Sequence, residues 1–301
     1  MPLVSMSKML AHARKERYAI GYFEAFNMDA LLAVISAAEQ AKSPVIIGFG
    51  GQFLSSPKHE APENVYVFGA VALEAAMRSK VPTAVLLNEA DQLTMIYDGM
   101  QAGFNAVMYQ KPGEDFQKIR SITKEICEKA HRLGIDVESE IGELPIADIA
   151  TGKQTIGANT DPDIALEFID YTGIDALAVA IGNIHLLETG KSELDYELLK
   201  KLNDKSPVPL VLHGGTGISD EDVRKAISAG IVKVNVGTAL KRTYINAIDR
   251  FCRNKDLVEV DPHITIGWGG QDDMLSCGRA AVASKVLEYI DLLGSANRVP
   301  N

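Results

Sequence analysis

The sequence is short of cysteine, of positive charge and of long hydrophobic runs, and each shortage excludes a class of protein. Its three cysteines, Cys127, Cys252 and Cys277, are an odd number with none of the usual zinc or redox spacings. We interpret them as reduced thiols, which are typical of a cytoplasmic protein rather than a disulfide-stabilised secreted one. Against 40 Asp and Glu residues stand 30 Lys and Arg, for a formal net charge of −10. A strongly negative surface attracts neither nucleic acid nor anionic membranes, so we expect neither as a general partner.

Apolar segments stay short along the whole chain. Nowhere do about 18 apolar residues run without interruption, as a membrane-spanning helix requires. Residues 1–8 also lack the apolar core and the cleavage site of an export signal. These two observations predict a soluble protein that stays in the cytoplasm.

What the sequence does have is a regular alternation of apolar, β-prone runs with segments of helical spacing. The predicted strands are residues 18–23, 44–49, 82–87, 106–109, 135–138, 176–181, 208–212 and 231–236. Most are continuously apolar, which is typical of strands in a parallel sheet that helices cover on its faces. One further helix is predicted over 274–293, beyond the eight strand-helix units.

Eight such units in about 240 residues fit a closed (β/α)8 barrel, the TIM barrel, with an additional C-terminal helix. A two-domain, doubly wound α/β arrangement is the weaker alternative. Because no Gly/Ser/Pro-rich linker or charge run interrupts the pattern, we predict a single domain over residues 1–301.

Polar residues collect just after the predicted strands, where an α/β barrel places its chemistry. They are Asn88, Glu89, Glu138, Glu140, Asn183, His185, His213, Asn235 and Thr238. Imidazole and carboxylate groups meeting at one rim are typical of a divalent-metal site. The remaining histidines, His12, His59, His131 and His263, fall on predicted helices or loops and are interpreted as structural or exposed.

A glycine-rich turn follows the seventh predicted strand directly. The strand delivers His213 into Gly214, Gly215, Thr216 and Gly217. Glycines let the backbone bend tightly and bring its N–H groups close to an anion, and a threonine hydroxyl adds a donor. The alternative is an ordinary strand-to-helix turn with a histidine that has no functional role.

Several longer motifs resemble one known family. They are residues 23–38, 43–46, 102–108, 130–142, 160–162, 172–185, 210–217 and 233–238. In this order, and over nearly the whole chain, they are similar to the class II, metal-dependent ketose-bisphosphate aldolases of the fructose and tagatose type. The resemblance implies a lyase of carbohydrate metabolism, related to glycolysis, that forms a homodimer or a homotetramer.

The resemblance also implies roles for individual residues. In the family a divalent ion, usually zinc, is held by three histidines and stabilises the enediolate formed as a C–C bond breaks. Two of these histidines match His185 and His213. The family's phosphate contacts correspond to Gly214, Gly215, Thr216 and Thr238, and its enediolate contact corresponds to Asn235.

At the end of the third strand the sequence departs from the family pattern. Glu89 stands where the third histidine belongs, and Asn88 replaces an aspartate that exchanges a proton with the substrate. We therefore predict Glu89, His185 and His213 as metal ligands, for zinc, or else manganese or cobalt, with Glu140 as an auxiliary ligand. Asn88, Glu140 and Asn235 are the predicted catalytic residues.

Other departures surround the same site. Gly50 replaces a serine, Gly237 replaces an aspartate frequent in fructose-type members, and Leu186 replaces a glycine. The loop 143–158 lacks the family's Gly-Gly-Glu-rich segment, which leaves Glu143 and Asp148 as candidates for the base.

Three functions follow from the pattern. The first is a metal-dependent aldolase acting on a phosphorylated ketose such as fructose or tagatose bisphosphate, or on a related sugar phosphate. An amide has no titratable proton near neutral pH, so Asn88 keeps two alternatives open. One is a binding or regulatory protein on an aldolase scaffold, and the other is a metal-dependent epimerase.

Overall fold

The computed structural model describes residues 2–56, 58–60, 63–142, 157–184, 193–255 and 259–299. Within these residues, eight parallel strands pair in sequence order and close into a barrel. They are β1 (Ile20–Glu24), β2 (Val45–Gly50), β3 (Thr83–Ala90), β4 (Ala106–Tyr109), β5 (Asp136–Ile141), β6 (Ala176–Val179), β7 (Leu210–Leu212) and β8 (Ile231–Val236). The predicted (β/α)8 barrel is confirmed.

Barrel closure is carried by the pairing of the first strand with the last. Tyr22 of β1 lies opposite Ile46 of β2 on one side and opposite Asn235 of β8 on the other. Almost every strand residue is buried, because the barrel interior covers one face and the surrounding helices cover the other. This double burial is why the strands are continuously apolar in sequence.

Helices follow the strands and form the outer layer. They are α1 (Met6–Glu16), α2 (Met28–Ala41), α3 (Gly51–Leu54), α4 (Val65–Arg78), α5 (Leu93–Ala102), α6 (Phe116–Arg132), α7 (Pro162–Thr172), α8 (Tyr196–Lys205), α9 (Asp220–Ser228), α10 (Thr238–Arg253), α11 (Pro262–Thr265) and α12 (Met274–Leu292). No helix in these described ranges is long and apolar enough to span a membrane. The predicted C-terminal helix is α12, and it packs against α2 and α10.

Helix α7 shows how the sequence sets an element boundary. Asp161 precedes it, and its carboxylate accepts hydrogen bonds from the backbone N–H groups of Asp163 and Ile164. Pro162 occupies the first turn, where the missing N–H costs nothing, and Gly173 ends the helix in the left-handed conformation. Asp161 and Pro162 therefore set the point at which the helix begins.

The N-terminal end of the barrel is closed by α1, which the sequence pattern did not predict. Met6, Met9, Leu10 and Ala13 of this helix pack against barrel residues that include Ile20. The helix places these four apolar residues on one face at helical spacing. Since α1 seals the opposite end, the open end lies where the strands finish.

Candidate active site at the carboxyl end of the barrel

A cavity of about 180 Å³ opens at the carboxyl ends of the strands. Its walls come from the ends of β1 and β3, the turn after β7, the start of α10 and the short helix α3. The described residues that line it are Tyr22, Glu24, Gln52, Phe53, Asn88, Glu89, Gly214, Thr216, Asn235, Val236, Gly237, Thr238 and Lys241. Six of the residues predicted from sequence are among them: Asn88, Glu89, Gly214, Thr216, Asn235 and Thr238.

His213 is the fully buried centre of this site and directly follows β7. Its Nε2 donates to the Glu138 carboxylate, with Oε1 at 3.0 Å. Its Nδ1 lies 3.2 Å from Glu89 Oε1 and 3.2 Å from Glu140 Oε2. Two strands, β3 and β5, thus bring carboxylates to both nitrogens of one imidazole.

The electrostatics of the cluster follow from burial and pairing. Burial alone lowers the pKa of His213, but the contacts with Glu138, Glu140 and Glu89 outweigh it and raise that pKa well above the usual range. Burial raises the pKa of Glu138, but the Lys233 charge and the His213 contact outweigh it, and the net direction is downward. Opposite charges therefore stabilise each other in this buried cluster.

Lys233 is a functional-site residue that sequence reasoning missed. It is fully buried in β8, and its Nζ lies 2.8 Å from Glu138 Oε2. The same ammonium donates to Asn235 Oδ1 at 2.6 Å. The available signal was a lysine and an asparagine two residues apart within the otherwise apolar run Ile231–Val236. Burial lowers the pKa of Lys233, and the nearby Glu138 carboxylate opposes this shift.

Asn235 is held in one orientation by this lysine. Its Oδ1 accepts from Lys233, so its Nδ2 is the end directed elsewhere. That nitrogen is buried and has no hydrogen-bond partner among the described residues. Asn235 lines the cavity, where a buried amide donor can bind a substrate oxygen.

The glycine turn after His213 joins the start of α10. Gly214 has φ 71°, a left-handed conformation that favours glycine, and Gly215–Gly217 form one turn of 3-10 helix. Thr216 Oγ1 accepts a hydrogen bond from the Ala239 N–H at 3.2 Å. This contact brings the turn against the N-terminus of α10, where free N–H groups favour an anion. Gly215 is buried behind the turn and does not line the cavity.

Asn183 fixes the backbone beneath the site rather than facing the cavity. Its Nδ2 donates to the His213 carbonyl at 3.0 Å, and its Oδ1 accepts from the Ile181 N–H at 2.9 Å. This buried amide therefore ties the end of β6 to the end of β7.

The third strand presents Asn88 and Glu89 through an irregular backbone. Its pairing with β4 shifts register between Leu87 and Ala90, and Glu89 has φ 51°. The turn directs Glu89 towards His213. Asn88 is buried, and its Oδ1 has no hydrogen-bond partner in the described part of the chain.

His185 lies outside the described residues, as do Leu186, Glu143 and Asp148. The other four histidines are separate from the His213 cluster. His12 contacts the Tyr18 hydroxyl, His59 contacts the Phe53 carbonyl, His131 pairs with Asp175 at 2.9 Å, and His263 lies on α11.

The donor set around His213 fits a divalent metal. No ready group of three or more His, Cys, Asp or Glu ligands occurs within the described ranges, which omit His185. However, a tetrahedral zinc ion with bonds of about 2.0–2.2 Å holds its ligand atoms roughly 3.3 Å apart. The two separations of 3.2 Å between His213 Nδ1 and the oxygens of Glu89 and Glu140 match that spacing. Glu138 on Nε2 is the carboxylate that commonly orients a ligating histidine.

Comparisons with known proteins identify the family of this chain. The sequence model of class II fructose-bisphosphate aldolases matches residues 4–298. The chain belongs to the class II fructose-bisphosphate aldolase family. The resemblance predicted from the motifs is confirmed, and the chain is an aldolase-like lyase.

Individual relatives are similar over nearly their full length. The Escherichia coli (strain K12) protein YdjI, described as uncharacterized, is 35% identical over 290 residues, which are 94% of this chain and 94% of that protein. A fructose-bisphosphate aldolase of Geobacillus stearothermophilus is 34% identical over 290 residues, covering 96% and 97%. The crystal structure of the YdjI aldolase from Escherichia coli K12 has a TM-score of 0.82, 33% identity, and coverage of 99% and 100%.

Members of the class II aldolase family generally depend on a divalent metal. In this aldolase the described residues bring His213 together with the predicted ligand Glu89 and the predicted auxiliary ligand Glu140. The cavity also collects Gly214, Thr216 and Thr238, the described phosphate candidates that face it.

Proposed function

We propose that this chain is a metal-dependent aldolase that cleaves a phosphorylated ketose through an enediolate. One observation carries the proposal. His213 Nδ1 faces the carboxylates of Glu89 and Glu140, each at 3.2 Å, and Glu89 lines the cavity together with Gly214 and Thr216 of the glycine turn. Candidate metal donors and a candidate phosphate cradle are thereby side by side.

Phosphate binding is assigned to the turn after β7 and the start of α10. The backbone N–H groups of Gly214 and Thr216 would face the phosphate, and Thr238 would add the first turn of α10, whereas the predicted contact Gly215 lies behind the cavity wall. Phosphate sites in barrels of this type commonly form after the seventh and eighth strands. The contact between Thr216 and Ala239 supports this role because it holds the two segments together.

Metal binding is assigned to His213 and Glu89, with His185 as the third ligand and Glu140 as an auxiliary one. Zinc is the proposed ion, with manganese or cobalt as alternatives. When bound, a divalent ion supplies Lewis-acid polarisation of the ketone and stabilises developing negative charge. Glu138 accepts from Nε2 and so leaves the Nδ1 lone pair of His213 for ligation.

Asn235 and Asn88 are assigned to the reacting oxygens. Lys233 holds Asn235 Oδ1, so the Nδ2 group can donate to the enediolate. Asn88 cannot exchange a proton, but its Oδ1 can accept from a substrate hydroxyl and orient it. The proton would then move through another group, for which we propose Glu143 or Asp148.

The test is a metal and product measurement on matched variants. Protein loaded with zinc, manganese or cobalt is offered fructose and tagatose mono- and bisphosphates, and triose phosphate release is measured. We expect cleavage with bound metal near one ion per chain. His213→Ala should lose the metal and slow cleavage by about 10³-fold, the scale of several kcal/mol of Lewis-acid stabilisation. His131→Ala is the control, because that histidine pairs with Asp175 away from the cavity.

Two outcomes would contradict the proposal. One is no cleavage of any of these sugars by the metal-loaded protein. The other is solvent deuterium entering a substrate without C–C cleavage, which would indicate the epimerase. Assembly as a homodimer or homotetramer in the cytoplasm remains part of the proposal and is tested by sedimentation of the purified protein.

A further inference from the structure

The wall of the cavity opposite the metal donors carries a carboxylate that the proposed mechanism does not use. Glu24 ends β1, is 7% exposed and lines the cavity. Its Oε1 lies 2.7 Å from Lys241 Nζ in the second turn of α10. The ammonium also lies 3.5 Å from the centre of the Phe53 ring. Both charges are therefore fixed in place beside the substrate space.

Two glycines lie beside this carboxylate. A Cβ at Gly50 would lie 2.8 Å from Glu24 Oε2, too close for a real side chain, whereas a Cβ at Gly237 would lie at an ordinary contact distance of 3.4 Å from Glu24 Oε1. These are the positions where the sequence carries glycine in place of a serine and an aspartate. The glycine at position 50 therefore leaves the space that the Glu24 carboxylate occupies.

The position of Glu24 relates it to the part of the substrate that does not react. The phosphate cradle lies after β7 and β8, and the metal donors come from β3, β5 and β7. What is left of the described wall is the β1–β2 side, with Glu24, Gln52, Phe53 and the Lys241 side chain. On the proposed function, the far end of a ketose extends along this side.

The charges of the side chains on this wall determine which non-reacting end of a ketose can bind beside them. Among the described residues lining the cavity, Lys241 is the only lysine or arginine, and its ammonium already pairs with Glu24. A second phosphate would therefore meet a carboxylate whose partner is already engaged, and like charges at short range oppose binding. A sugar hydroxyl, in contrast, can donate to a carboxylate oxygen.

We propose that Glu24, held by Lys241, is a specificity-determining residue that selects a ketose with one phosphate and an uncharged, hydroxylated far end. This inference rests on the proposed function for the position of the reacting carbons. It adds the substrate class, a ketose monophosphate rather than a bisphosphate.

The experiment measures binding, so that its result does not depend on cleavage. Affinities of the metal-loaded protein for fructose 1-phosphate and fructose 1,6-bisphosphate are measured by calorimetry at pH 7.5. We expect the monophosphate to bind about tenfold more tightly, since like-charge contact costs at least this much. Glu24→Gln keeps the shape of the side chain and should bring the two affinities within about twofold, mainly by tighter bisphosphate binding.

Lys241→Met is a second variant, and we expect it to change the ratio of the two affinities in the opposite direction. Removal of the ammonium leaves the Glu24 charge uncompensated, so the preference for the monophosphate should increase. A merely structural role would move both variants the same way. Glu74→Gln, which removes a carboxylate paired with Arg78 on the exposed face of α4, is the control and should leave the ratio unchanged.

Several results would overturn the inference. They are equal or tighter bisphosphate binding by the unmodified protein, an unchanged ratio in Glu24→Gln, or no binding of either sugar. Cleavage is scored separately. A protein that prefers the monophosphate through Glu24 but cleaves neither sugar would support the inference and contradict the proposed function.

Discussion

The two ends of the barrel both contain fully buried side chains, which are apolar at the amino end and charged or polar at the carboxyl end. At the amino end, Met6 and Leu10 of α1 are fully buried against Ile20 and other apolar barrel residues. At the carboxyl end, His213, Glu138 and Lys233 are equally inaccessible, and each carries a charge or can carry one. The amino end needs only shape and hydrophobicity, whereas the carboxyl end depends on every charge having its partner.

Tyr22 lies at the boundary between these two regions. Its ring belongs to the apolar cluster at the amino end, and Lys233 Nζ lies 5.0 Å from the ring centre. Burial, and then the carboxylates of Glu24, Glu89 and Glu138, raise the pKa of Tyr22 well above its usual value. The hydroxyl therefore stays protonated. The comparison indicates that the apolar amino end stabilises the fold, whereas the carboxyl end holds buried charged side chains in the positions that the proposed chemistry requires.

The largest loss of stability at the carboxyl end is expected from Lys233→Met. Without the ammonium, Glu138 becomes a buried charge that has lost its lysine partner, which typically costs about 3–5 kcal/mol in free energy of unfolding. Urea denaturation followed by circular dichroism measures this. A second change, Glu138→Leu in the same chain, should recover part of the loss because no unpaired carboxylate then remains.

The control for that prediction is Lys225→Met, which removes an exposed lysine paired with Glu221. We expect no measurable change in stability, since such surface pairs contribute little. Equal stabilities of Lys233→Met and Lys225→Met would mean that charge pairing does not hold the carboxyl end together.

A smaller loss of stability, without loss of activity, is expected from Leu10→Ala. The substitution leaves a cavity beneath the barrel and should lower the free energy of unfolding by about 2–5 kcal/mol. At a temperature where the variant remains folded, kcat/KM should stay within about twofold, because α1 closes the amino end of the barrel and the cavity opens at the carboxyl end. Leu133→Ala, at a position 62% exposed, is the matched control. A large fall in kcat/KM for Leu10→Ala would contradict the idea that the amino end contributes to stability but not to activity.

The smallest expected effect is a gain of activity from a substitution at the carboxyl end of the barrel. Asn88→Asp places a titratable group where the chain has an amide, and kcat should rise by about tenfold, a modest fraction of what a positioned acid or base supplies. The pH profile of kcat should also gain one ionisation. Asn246→Asp, on the exposed side of α10, should change neither quantity. If Asn88→Asp leaves kcat and its pH profile unchanged, proton transfer does not pass through position 88.

The amount of structure that could be read from the sequence differed between these regions. Strands β4 and β8 begin and end where the apolar runs do. β3 and β5, in contrast, extend to Ala90 and Ile141, past their apolar runs, because the polar residues that carry the site continue the strand. A hydrophobicity pattern therefore places the ends of β3 and β5 too early, because their last residues are polar site residues.

Pairings across the barrel could not be read from sequence at all. The burial of Lys233 depends on Glu138, which is 95 residues away in the chain, and Glu24 depends on Lys241, which is 217 residues away. Helix α1 had a usable local signal in the spacing of Met6, Met9, Leu10 and Ala13. It was missed because it precedes the first strand and lies outside the repeating unit.

The left-handed backbone at Glu89 has a consequence for how this family can diversify. A glutamate at φ 51° is uncommon, whereas histidine, the residue that stands here in the family pattern, is among the side chains that adopt this conformation more readily. The backbone at this strand end therefore suits histidine at least as well as glutamate. We expect a Glu89→His exchange to replace a carboxylate donor with an imidazole while leaving the path of the strand unchanged.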